Sequence, residues 1–135
     1  MRRFKTIVMA LCLLMVPSYL VAASYDGSVP LLCTAMTVLE CEDIGECQRR
    51  TAMSVGLPPF LIVDFDKKLV RAPEQYGGQT SALKNLERLN ARIVLHGGEE
   101  GRGWTIVIDE DTGTMSAAVA GNQVGFVVFG ACIPR

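Results

Sequence analysis

The chain has 135 residues, is 50% hydrophobic and 20% charged, and carries a formal net charge of −1. That length supports one compact domain and does not divide comfortably into two cores. The near-balanced, slightly acidic charge excludes the electropositive surface that nucleic acid or an anionic membrane would require.

The first element is a secretory signal peptide over residues 1–23. Arg2, Arg3 and Lys5 form a basic head, Thr6 to Val16 an apolar run, and Val21-Ala22-Ala23 a small-residue cleavage site. The run falls short of the ~20 apolar residues a spanning helix needs, and Pro17 interrupts it. Cleavage after Ala23 leaves 112 residues, 24–135, as a single β domain, and taking three positive charges from a net of −1 leaves −4. Cys12 lies too early, and Cys33 follows the bulky pair Leu31-Leu32, so neither suits lipid attachment. These features predict an exported protein, periplasmic or secreted, with no stable membrane insertion after cleavage.

Loss of Cys12 leaves an even set, Cys33, Cys41, Cys47 and Cys132, which in an exported chain reads as two disulfides. Three connectivities are possible. The expected one is Cys41–Cys47, closing a small loop, with Cys33–Cys132 tying the first strand to the last. The cysteine spacing lacks the paired C-x₂₋₄-C knuckles of a zinc site, and no metal or cofactor is expected.

Ser24 to Pro30 reads as a short frayed lead-in. Leu32 to Leu39 is β-branched and apolar, a first strand. Gln48 to Gly56 has no clear pattern, and Pro58-Pro59 excludes regular helix or central strand. Strands are then expected at Phe60–Phe65, Leu69–Ala72, Ile93–His96, Trp104–Asp109, Thr114–Val119 and Val124–Cys132. Ser81 to Leu89 fits a short helix or a strand turning at Asn90-Ala91, and the even spacing of its neighbours favours the strand. The sum is an all-β, antiparallel up-and-down meander of about seven or eight strands. Curled into a small barrel or half-barrel, it hides its edges, and the Cys33–Cys132 staple suits closure. Strands of five to seven residues are too short for a transmembrane barrel.

The C-terminal third carries a recognisable cadence, Ile108-Asp109-Glu110-Asp111-Thr112-Gly113 followed by Phe129-Gly130-Ala131-Cys132. This resembles a group of short exported proteins of Gram-negative bacteria with an IDxxTG hairpin and a terminal FGxC strand. More loosely, it resembles the calycin-like small barrels among periplasmic lysozyme inhibitors. The resemblance implies a periplasmic β domain and carries over no activity and no functional residue.

The candidate chemistry is sparse. His96, the single histidine, is a possible base or ligand, but strand parity sets it with Arg92 and Val94, opposite Ile93 and Leu95. Asp109 to Gly113 has a calcium-loop flavour without the ordered D-x-D-x-D-G run, and a supported turn accounts for it. Gly97 to Gly103 reads as a flexible, glycine-rich hairpin tip with no phosphate-loop signature. Trp104, Phe126 and Phe129 would form core or, in a hollow barrel, the wall of a small apolar pocket. Glu40, Glu42, Asp43 and Glu46 surround the expected short disulfide and form a possible recognition loop. The leading expectation is a non-enzymatic module that binds a protein or small ligand of the cell envelope. The alternatives are a hydrolase-type enzyme using Asp64, Asp109 or His96 in a strand-built cleft, and a structural envelope component.

Overall fold

A computed structural model describes residues 24–135. The expected signal peptide, its cleavage site and Cys12 lie outside the described residues. The strands, in chain order, are β1 (Leu31–Glu42), β2 (Gln48–Arg50), β3 (Phe60–Asp64), β4 (Leu69–Arg71), β5 (Thr80–Leu89), β6 (Arg92–Glu99), β7 (Arg102–Asp109), β8 (Thr114–Ala120) and β9 (Val124–Pro134). The only helical turns among the described residues are two single 3₁₀ turns, Met53–Val55 and Glu74–Tyr76.

All pairings are antiparallel, and the sheet closes where β1 meets β9, from Leu31 opposite Pro134 to Glu42 opposite Val124. Eight strands complete the barrel. The ninth, β2, pairs only with the upper part of β1, while β3 takes the lower part of the same β1 edge. A bulge between Ala35 and Thr37 marks where β1 changes partner. The expected meander is therefore interrupted once, by a short strand lying outside the barrel.

Period-two alternation fills the interior. Leu31, Val63, Ile93, Leu95 and Ile108 are fully buried, and Ile106, Met115, Phe126 and Val128 join them. The outer wall is mixed, with Arg71, Asn85, His96, Thr105 and Ser116 interspersed among Val94, Val107, Val127, Phe129 and Ile133. The strands are longer than the expected five to seven residues at three places, because β1, β5 and β9 run to 12, 10 and 11 residues.

Both disulfides form as expected. Cys33 and Cys132 sit opposite each other in the closing seam, buried, with Cα atoms 3.9 Å apart. Cys41–Cys47 closes the β1–β2 loop. Such bonds form and persist in oxidising compartments, which points away from the reducing cytoplasm. Among the described residues no helix is long and apolar enough to cross a membrane.

Two local expectations change. The lead-in from Ser24 to Pro30 is packed rather than frayed. The Tyr25 ring lies where a Cβ on Gly113 would be, Gly27 lies against Phe65 and Arg88, and the Arg135 amide donates to the Pro30 carbonyl at 2.9 Å. The glycine-rich tip is paired rather than flexible. Gly97 lies opposite Trp104, Gly98 opposite Gly103 and Glu99 opposite Arg102, leaving a two-residue turn at Glu100-Gly101 with φ of 50° and 77°. Two positive φ values are what the right-handed twist of a hairpin requires of a two-residue turn. Thr80–Leu89 is the strand that the hairpin spacing favoured, turning at Asn90-Ala91.

Candidate functional site

Antiparallel register gives the barrel two unlike ends. At the lower end stand the Asp64–Leu69, Leu89–Arg92 and Asp109–Thr114 turns together with the packed Tyr25 segment. Arg88 bridges to Glu110 at 2.7 Å there, and the Glu110 amide donates to the Ala91 carbonyl at 2.9 Å. This end is shut. The upper end is open, and a cavity of about 200 Å³ leads into the barrel from it.

The cavity follows from side-chain size. The lower layers hold Leu31, Val63, Ile93 and Ile108, whereas inward positions near the mouth hold the small residues Ala35, Ala72, Ser81 and Ala117. Four strands thus withdraw bulk at one level, and close packing fails there. Trp104 is the largest side chain in a wall that also includes Leu61, Ile106, Met115 and Val128. Its ring lies across Gly97, where a Cβ would collide with the indole, and its Nε1–H donates to Ser81 Oγ at 3.0 Å. A single tryptophan is therefore fixed by a glycine beneath it and a hydroxyl at its polar edge.

Two lips frame the mouth. One is the segment after β2, where Ala52 is buried and Gly56, Leu57 and Pro58 face the cavity. The Leu57 amide donates to the Ala52 carbonyl at 2.9 Å, which fixes that segment. The other is the β6–β7 turn with Glu99, Glu100 and Arg102. Arg102 leans over the buried Phe126, its guanidinium carbon 5.7 Å from the ring centroid. Of the three aromatics expected in a pocket wall, Trp104 lines it and Phe126 is buried beneath Arg102. Phe129 instead points outward, half exposed, because β9 parity sets it opposite to Phe126 and Val128.

The other sequence candidates lie elsewhere and are not assembled. His96 is on the outer wall with Nδ1 3.0 Å from Thr105 Oγ1. Asp64 supports its own turn, accepting from the Lys67 amide at 2.9 Å. Asp109 accepts from the amides of Asp111 and Thr112 and from the Thr112 hydroxyl, at 2.9–3.1 Å. The Thr112 amide foremost, then its hydroxyl, holds the Asp109 carboxyl below its ordinary value. Asp64 and Asp109 sit four strands apart around an eight-strand ring, so no cleft joins them. Among the described residues no group of three His, Cys, Asp or Glu side chains is placed to hold a metal.

The acidic candidates divide. Glu40 lies within β1, half-buried, and accepts from Arg50 Nε at 2.8 Å. Glu42 ends β1, and Asp43 and Glu46 are exposed in the disulfide-closed loop around Ile44, which is 84% exposed. Only three of the four carboxylates are free to face a partner. Sequence reasoning missed Ala35, Ala72, Ser81 and Ala117. Their signal, small residues at inward parity near one end of four strands, becomes readable only once the register is known.

Fold and site define a closed antiparallel barrel, sealed at one end and open at the other to an apolar cavity. Comparison with protein-family models, with characterised proteins and with solved structures gives no match to this chain.

Proposed function

We propose that this is a non-enzymatic binding protein of the cell envelope, periplasmic or secreted, that admits a small apolar group into the mouth of its barrel. The observation that carries the reading is the cavity itself, about 200 Å³, lined mainly by apolar side chains with Trp104 among them and reached from one end. An apolar cavity of ~150 Å³ accommodates benzene, so this one suits a single ring or a chain of about eight heavy atoms. It is smaller than the ~300–1,000 Å³ of sites for drug-sized ligands, and a longer ligand would trail out through the mouth. The basic and apolar N-terminus and the two disulfides support the envelope location.

The test uses 1-octanol. Because Trp104 is the only tryptophan and stands in the cavity wall, its emission reports on that site alone. Saturable change in emission, with matching heat in calorimetry, is expected for the wild type. Ala117→Leu, which fills the cavity with three more carbons, is expected to abolish it while the protein still melts cooperatively. Octanol that leaves Trp104 unchanged, or binds both proteins alike, would defeat the reading.

A second reading rests on Ile44. A large aliphatic exposed between Asp43 and Glu46 on a disulfide-held loop is a preorganised contact for a protein partner. Recovery of an envelope protein by the wild type but not by Ile44→Asp is its expected result, and equal recovery by both would remove it.

A further inference from the structure

Resting on the reading that the mouth takes an apolar ligand, we infer that this ligand is an amphiphile with a terminal anionic head, received by Arg102. Arg102 occupies the inward parity of β7, two residues above Trp104 and four above Ile106, so its side chain belongs to the wall a ligand would pass. Its guanidinium is set over the Phe126 ring, 5.7 Å from the centroid, and its side chain forms part of the mouth. Among the described residues no carboxylate comes within ion-pair distance of it, although Glu99 is its direct register partner and Glu100 is on the same turn. Arg49, Arg50 and Arg71 also stand at this end, but none of them lines the cavity, and Arg50 is committed to Glu40 at 2.8 Å. Arg102 is thus the one cation in the lining of the apolar cavity.

Charge on the lip cuts both ways. Glu99 and Glu100 are exposed and solvated, and their repulsion of an incoming anion is screened over roughly 8–10 Å at ordinary salt. A carboxylate or sulfate emerging past Trp104 meets the guanidinium in a paired, charge-assisted contact at hydrogen-bond range, which outweighs screened repulsion. The same two carboxylates disfavour heads of higher charge, so the class is a singly charged anion on a short apolar tail.

The probes are octanoate, 1-octanol and octylammonium, which share one tail length and differ in the head. Each is titrated into the wild type, Arg102→Gln and Arg102→Lys, with Trp104 emission and calorimetry as readouts and thermal melting as the folding control. Octanoate is expected to bind the wild type roughly tenfold tighter than octanol, with the advantage shrinking as salt rises. Arg102→Gln is expected to bring octanoate down to the level of octanol measured on the same variant, and Arg102→Lys to leave a smaller difference between the two than the wild type shows. Equal binding of octanoate and octanol, or tightest binding of octylammonium, overturns the anion inference while leaving the mouth reading intact. Failure of all three to bind overturns the mouth reading and this inference with it.

Discussion

Trp104 and Gly97 show how one residue pair sets a cavity. The indole crosses β6 only because position 97 has no Cβ, and its N–H finds Ser81 on β5 beyond. Gly97→Ala forces the ring away and is expected to cost about 1–3 kcal/mol in denaturant unfolding. It should also shift Trp104 emission, because the Ser81 hydrogen bond is lost. Ala91 makes the opposite prediction. It holds φ of 59° in the β5–β6 turn, a conformation an L-residue with a Cβ adopts at a cost. Ala91→Gly is therefore expected to raise stability by about 0.5–1 kcal/mol in the same measurement. The carboxyl groups at the lower end give a pH signature. Hydrogen bonds from the Ser24 hydroxyl first, then from Ser28, hold Asp26 at about 2 against an ordinary 3.8, and Asp109 is lowered by Thr112. A carboxyl lowered by folding contributes stability that is present above its ordinary value and is lost as pH falls through its folded one. Asp109→Ala is thus expected to lower the melting temperature at pH 7, with the gap from wild type narrowing as pH falls below the ordinary carboxyl value of 3.8. A constant gap would mean that the charge state of Asp109 is irrelevant to its role.

At the scale of elements, the sequence was most legible where alternation was unbroken. Trp104-Thr105-Ile106-Val107-Ile108 could be assigned both strand and facing, and the structure bears it out. β2 was not legible, because three exposed residues, Gln48 to Arg50, carry no alternation and pair on one side only. Gly97 and Gly98 misled for a different reason. Glycine punctuates loops, yet here it makes room for an aromatic side chain from the next strand, a tertiary demand that a local reading cannot contain. The disulfides were legible because Cys12 falls in the expected signal peptide, leaving four cysteines, and closure of a barrel places first and last strands together. They should also differ in behaviour. The Cys33–Cys132 bridge spans 99 residues and is buried, so losing it is expected to cost about 4.7 kcal/mol in unfolding. Cys41–Cys47 closes six residues beside an exposed loop, so its loss is expected to cost roughly 2–2.5 kcal/mol. Mild reduction followed by alkylation and mass spectrometry is expected to label Cys41 and Cys47 first. Simultaneous labelling of all four would mean that the seam opens as readily as the loop.

For the whole molecule, the proposed function rests on an asymmetry between ends. The same eight strands are plugged below by Tyr25 and large aliphatics and left hollow above by alanines and Ser81. The class of fold could be read from the sequence. The cavity could not, because it depends on which small residues of separate strands come level with one another, and register decides that. Entry of an apolar ligand at the upper mouth, and not at the outer wall or the lower end, is tested most directly by two-dimensional amide NMR during an octanol titration. Trp104 gives one indole N–H signal, held by Ser81 at 3.0 Å. The account predicts saturable shifts at that signal and at the amides of Ala72, Ala117 and Val119, with Gly113 and Asp109 unmoved. Shifts confined to the outer wall, or a Trp104 indole signal that stays fixed throughout the titration, would contradict it.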